Sequence, residues 1–90
     1  MLFRSNVDTG VIEKRLLAIP GTVAVHDLHV WTVTSGFDAM SCHLVVADMS
    51  AGREALREAR NLMKAEYGIE HTTIQIEDEA MRGEETVLHV

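Results

Sequence analysis

The chain has one cysteine and one proline in 90 residues, and only 4% of it is aromatic. A lone Cys42 excludes an internal disulfide and a cysteine-rich zinc cage, and it fits a reducing compartment. No apolar run approaches the ~18 residues a membrane span needs; the most continuous, Leu44 to Ala47, is very short. The opening Met1-Leu2-Phe3-Arg4-Ser5 is too short and too polar for a signal peptide, so the chain reads as a soluble piece. Basic charge is also scarce. Positions 66–90 carry seven acids against Arg82 alone, so all six net negative charges fall in the last 25 residues. Such a field repels phosphate backbones, which excludes nucleic acid as a partner. Residues 79–90 read as a solvated acidic tail, and residues 1–6 as a leading segment or linker.

What remains, residues 7–78, is 47%-hydrophobic globular sequence for one small domain. Asn6 or Asp8 can cap a helix with Ile12, Leu16 and Ile19 on one face, stopped by Pro20-Gly21. Thr22 to Thr34 is rich in valine and threonine and reads as a strand. The turn Ser35-Gly36-Phe37-Asp38 joins it in a hairpin to a second strand, Ala39 to Asp48. Ser50 is placed to cap a second helix that ends at Gly68, and a third strand runs from Thr72 to Asp78. The order helix, strand, strand, helix, strand predicts an α+β two-layer sandwich of ferredoxin-like αββαβ form. Both helices cover one face of a three-stranded sheet.

Alternation along each strand then sorts side chains by face. Ile74 and Ile76 face the helices, which turns Thr73, Gln75 and Glu77 outward. Met40, Cys42, Leu44 and Val46 likewise face inward, with Ser41, His43 and Val45 outward. The first strand is apolar on both faces. Placing Val23, Val25, Trp31 and Val33 inward leaves His26, Leu28 and Val30 outward, with Asp27 and His29 needing an inward partner or a local bulge. The helix-free face then carries Leu28, Val30 and Val45, and a second copy of the chain is the cheapest cover for them.

His26, His43 and Glu77 share that outward face on three different strands. Two imidazoles and a carboxylate make a first shell for Zn²⁺ and tolerate other borderline divalent ions. On the face pattern alone they are either metal ligands or three surface polar residues. His29 reads as a satisfied histidine near the core, and His71 as a structural one at a strand start. An acyl-phosphate enzyme would need a glycine-rich anion cradle with arginine, which is missing, so the chain reads as a non-enzyme.

Ile19-Pro20-Gly21-Thr22-Val23, Val25-His26-Asp27-Leu28-His29-Val30-Trp31, Ser41-Cys42-His43-Leu44 and His71-Thr72-Thr73-Ile74-Gln75-Ile76-Glu77 resemble the cytoplasmic C-terminal domain of cation diffusion facilitators, nearest the CzcD-like zinc, cadmium and cobalt efflux branch. The resemblance implies a metallochaperone-like regulatory domain on the cytoplasmic side of a membrane transporter. It further implies a homodimer, attached to the transmembrane domain of a divalent cation/proton antiporter, that binds Zn²⁺ (or Cd²⁺ or Co²⁺) near its interface. Ligand roles carry over to His26, His43 and Glu77. Gln75 stands where some members have a histidine, and His89 could substitute for tail ligands found in others. The competing reading is a metal-independent small-ligand-binding regulatory domain of the same topology.

Overall fold

The computed structural model describes residues 7–80 together with the backbone of Leu2–Phe3. Strand β1 (Leu2–Phe3) precedes helix α1 (Thr9–Leu17). The hairpin β2 (Thr22–Thr34) and β3 (Phe37–Val46) follows, then a 3-10 turn over Met49–Ala51, helix α2 (Gly52–Tyr67) and strand β4 (His71–Asp78). The expected α+β architecture is present, with one addition: β1 pairs antiparallel with Thr32 and Trp31 and makes the sheet four-stranded, in the order β1-β2-β3-β4. That short strand falls in the segment expected to be a leader. β2 and β3 are antiparallel, whereas β3 and β4 are parallel and joined by the α2 crossover.

Local chemistry accounts for the helix ends. Asp8 caps α1, its Oδ1 accepting from the Gly10 N–H at 2.9 Å. At α2 the cap lies elsewhere than expected. Asp48, not Ser50, supplies the side chain, accepting from the Ser50 N–H at 2.8 Å and starting the 3-10 turn that leads into the helix. That hydrogen bond holds the Asp48 carboxyl below its ordinary range. Gly68 ends α2 in the left-handed region, at φ 66°.

The core lies between sheet and helices. Ile12 and Leu16 of α1 and Ala55, Ala59 and Met63 of α2 bury against Val25, Met40, Cys42, Leu44 and Val46, with Ile74 and Ile76 packed alongside. The small side chains on α2 let the helix approach closely. At Gly52 a Cβ would stand only 3.0 Å from Ile76 Cγ2. Arg15 of α1 and Glu66 of α2 pair across the exposed helix surface at 3.2 Å.

Burial pushes the Cys42 thiol up from its ordinary 9.0 to about 11. A raised folded-state value means the contribution to stability is intact below pH 9.0 and is lost as pH climbs towards 11, at no more than about 1.4 kcal/mol per pH unit. Urea midpoints at pH 8 and 10.5 should therefore fall further for the native chain than for Cys42→Ala. Cys42 should also resist thiol reagents at neutral pH until the chain unfolds.

Candidate metal centre

The first strand does not alternate evenly. Between the pairs His26↔His43 and His29↔Ser41, two residues of β2, Asp27 and Leu28, oppose the single residue Cys42. This is a β-bulge, and Asp27 takes a left-handed backbone at φ 53°, a conformation that aspartate tolerates better than most side chains. One inserted residue flips every side chain that follows.

Several placements change in consequence. Leu28 and Val30, expected on the open face, turn into the core, where Val30 is buried and Leu28 packs against it. The placement that made them interface candidates is thereby removed. Val45 does face the open side beside Ala24 and Glu77, yet it is already buried within the subunit. Trp31, expected inward, pairs with Ala39 on the open face, and His29 is exposed rather than near the core. Val23 and Val33, also expected inward, are exposed at 44% and 62%. His71 is exposed at its strand start, its ring centroid 5.9 Å from that of Phe37.

The same bulge brings Asp27 onto the open face. His26 and His43 sit directly opposite one another across β2 and β3, with ring centroids 4.6 Å apart. Asp27 Oδ2 lies 3.2 Å from His26 Nδ1 and 3.9 Å from His43 Nδ1. One ligand atom from each of His26, Asp27 and His43 falls within 4.8 Å of the others. Beneath them lies Glu77, 1% exposed. Its Oε1 is 3.2 Å from His26 Nε2 and its Oε2 is 2.8 Å from His43 Nδ1. Gln75 donates to Glu77 Oε2 from Nε2 at 2.7 Å, fixing the carboxylate from the side. His26, His43 and Glu77 are thus brought together, with Gln75 touching the cluster through Glu77. His89 lies outside the described residues.

Asp27 is the member that face counting on an even strand misses. Its signal is the acid placed inward on a strand apolar on both sides, which needed either an inward partner or a bulge; the structure has the bulge.

The donor chemistry fits a cation. His26 stands between two carboxylates, with each ring nitrogen 3.2 Å from a carboxylate oxygen. A neutral imidazole has one N–H, so both contacts are satisfied only with a second proton on the ring or a cation shared with one of the carboxylates. Two imidazoles and carboxylate oxygens within one small cluster are a borderline divalent ion's ligand set. No described helix is long and apolar enough to cross a membrane.

Residues 5–79 match the family model of the cytoplasmic domain of cation efflux proteins. The chain is 44% identical over 69 residues, 77% of its length, to a vacuolar zinc transporter of Toxoplasma gondii, and spans 8% of that protein. It is 37% identical over 86 residues, 92% of its length, to a cadmium, cobalt and zinc/H(+)-K(+) antiporter of Bacillus subtilis, of which it spans 27%. Among solved structures, the metal-bound C-terminal domain of the CzcD transporter of Cupriavidus metallidurans superposes with a TM-score of 0.70 at 38% identity, covering 79% of this chain and 99% of that one. With three-quarters or more of its length aligned to transporters and a matching fold, the chain belongs to the family of cytoplasmic domains of cation efflux proteins.

Proposed function

We propose that this domain senses Zn²⁺-type divalent ions for the membrane transporter that carries it, through His26, His43, Asp27 and Glu77, and that it acts as a homodimer. The observation that carries this reading is the convergence of two imidazoles and two carboxylates, one of them buried, on the open face of the sheet. A bound ion would supply a positive centre shared by groups from three strands and by a partner subunit seated over them. His26 and His43 present their nitrogens from neighbouring strands. Glu77, held by Gln75, orients both rings, and Asp27 closes the solvent side from the bulge. Carboxylates that orient imidazoles in this way also raise their basicity as ligands.

The dimer reading rests on the other end of the open face. Val33 and Phe37, exposed at 62% and 55%, stand with Trp31 around a groove of about 520 Å³. Apolar side chains of this size gain about 1.5–3 kcal/mol each on full burial, and a twofold contact counts each twice. A subunit seated there would also approach the partly exposed His26 and His43. An ion that binds the pair better than the separate subunits shifts the population towards the pair, which is how a regulatory signal would reach the transporter's membrane part. Divalent cation/proton antiport is the activity we propose for that part, supported by the name of one relative, a cadmium, cobalt and zinc/H(+)-K(+) antiporter.

Sedimentation velocity with and without Zn²⁺ tests the proposal. The dimer fraction should rise with zinc and fall back on chelation. A dimer fraction indifferent to zinc at every protein concentration would overturn it.

A further inference from the structure

Half of the chain's eight basic residues, and all of those on α2, are Arg53, Arg57, Arg60 and Lys64. Their spacing puts them in one row along a single flank of the helix, and all four are exposed. The row runs the length of β4. At one end Gly52 abuts Ile76, and at the other Lys64 meets Glu70 at 3.5 Å. With Asn61, Glu70 and Thr72, the four bases give a groove of about 520 Å³ a chiefly polar lining. Its two ion pairs, that one and Arg57 with Glu54 at 3.2 Å, are exposed, so each contributes little. Arg53 and Arg60 have no carboxylate in salt-bridge reach among the described residues. β4 is also the last strand of the sheet, and no strand pairs with its outer edge among the described residues. It has no proline, glycine or lysine, and its pairing with β3 runs without a bulge from Ala39↔His71 to Val46↔Asp78. Proteins usually blunt or cover such an edge. Thr72, Ile74 and Ile76, on the side of β4 that faces α2, stay partly exposed.

We propose that this edge and the row beside it take an extended acidic peptide of a partner protein, which adds to β4 as a further strand with carboxylates at alternate positions turned towards α2. Charge and spacing together choose the occupant. A strand added to β4 places every second side chain on the helix side, about 6.6–6.8 Å apart. The row climbs α2 in steps of about 4.5–6 Å and spans about 16–17 Å, so three or four such carboxylates meet four long basic side chains. A second copy does not fit. Edge-to-edge pairing across a twofold would bring two basic rows face to face, which like-charge repulsion opposes. Lipid headgroups would answer the charge but cannot extend the sheet. The helix flank lies on the side of the sheet away from His26, Asp27 and His43, so this inference is independent of the metal reading.

Fluorescence anisotropy of a short labelled peptide of alternating threonine and glutamate, titrated with the whole chain, tests it alongside amide hydrogen exchange. The peptide should bind, and Arg57→Glu with Arg60→Glu should weaken binding by about tenfold or more. Both arginines are exposed and outside the core, so the variant should keep its fold, which amide exchange of β3 checks. Bound peptide should also slow exchange of the β4 amides that do not bond to β3 by about tenfold or more. The matching threonine–lysine peptide should protect the same amides in the reversed variant and not in the native chain. Absence of binding at millimolar peptide overturns the proposal. So does binding that leaves those amides unprotected, which would make the row a charged surface only. Protection without peptide gives the edge to another occupant and overturns it too: to a second copy if it grows with protein concentration, and to the chain's own acidic end if Glu84→Lys with Glu85→Lys removes it. Capture of the chain by phosphatidylserine vesicles, abolished by the arginine reversals, would assign the row to lipid and overturn it as well. The zinc response should be the same with and without the peptide, so the two readings fail separately.

Discussion

Zinc at about a hundredfold over its dissociation constant should stabilise the native chain by about 2.7 kcal/mol, and the His26→Ala/His43→Ala variant should gain none of it. For a domain of this size each kcal/mol moves the melting temperature by about 4–8 °C, so the native shift should exceed about 10 °C. The variant should still fold. Both imidazoles stand on the open face with side chains 33% and 24% exposed, and neither belongs to the core between sheet and helices. Truncating them removes two imidazoles from neighbouring strands while leaving the hairpin register to Val25↔Leu44 and Val30↔Met40. A full zinc shift in the double variant would place the ion elsewhere on the chain.

Glu77 should show the second large effect, on both binding and stability. It is the buried polar residue among the described core, and His26, His43 and Gln75 all converge on its two oxygens. Glu77→Ala withdraws the partner of three polar side chains, which should lower stability by about 1–3 kcal/mol. Zinc affinity should fall about 10–100-fold even if the imidazoles still reach the ion, because their orientation is lost. Glu77→Gln separates shape from charge: it preserves volume, so most of the stability should return while affinity stays low. Parallel urea and zinc titrations of the two variants measure both quantities. Native zinc affinity in Glu77→Gln would remove the carboxylate from the site.

Where the sequence carries one signal per position, the fold is readable from it. Asp8 before Ile12 and Leu16, Pro20-Gly21 after them, and Gly36 after a β-branched run mark the first helix and the hairpin. In β3 and β4 only one phase buries Met40, Cys42, Leu44 and Val46 with Ile74 and Ile76, and that phase puts His43, Gln75 and Glu77 on the opposite side. In β2 the signals compete. Val23, Val25, Leu28, Val30, Trp31 and Val33 satisfy either face, so hydrophobicity cannot locate the residue where the phase changes. The tertiary contacts decide it by putting Val30 and Leu28 into the core and inserting Asp27. That one insertion displaces the expected interface residues and adds a carboxylate to the site. The sheet order and the parallel β3–β4 pairing depend on contacts distant in sequence, which no local pattern encodes. Asp48 outcompetes Ser50 as a cap because a short 3-10 turn precedes α2 and moves the start of regular helix to Gly52.

The relatives that share this domain are named for moving zinc, cadmium and cobalt, and the chain spans only 8–27% of the two described above. What the domain itself contributes must therefore rest on its own groups. A bulge that aims Asp27 at two facing imidazoles, above a buried carboxylate, is a device that a plain solvent-facing sheet has no need of.

Anomalous diffraction at the zinc edge, from crystals grown with the metal, goes straight to the ion's position. It should lie about 2.0–2.1 Å from one nitrogen each of His26 and His43, with a carboxylate oxygen of Asp27 or Glu77 at about 2.0–2.2 Å as the third ligand and a water or a partner group as the fourth. An ion held only by other residues, with the two imidazoles still turned to Glu77, would contradict the account.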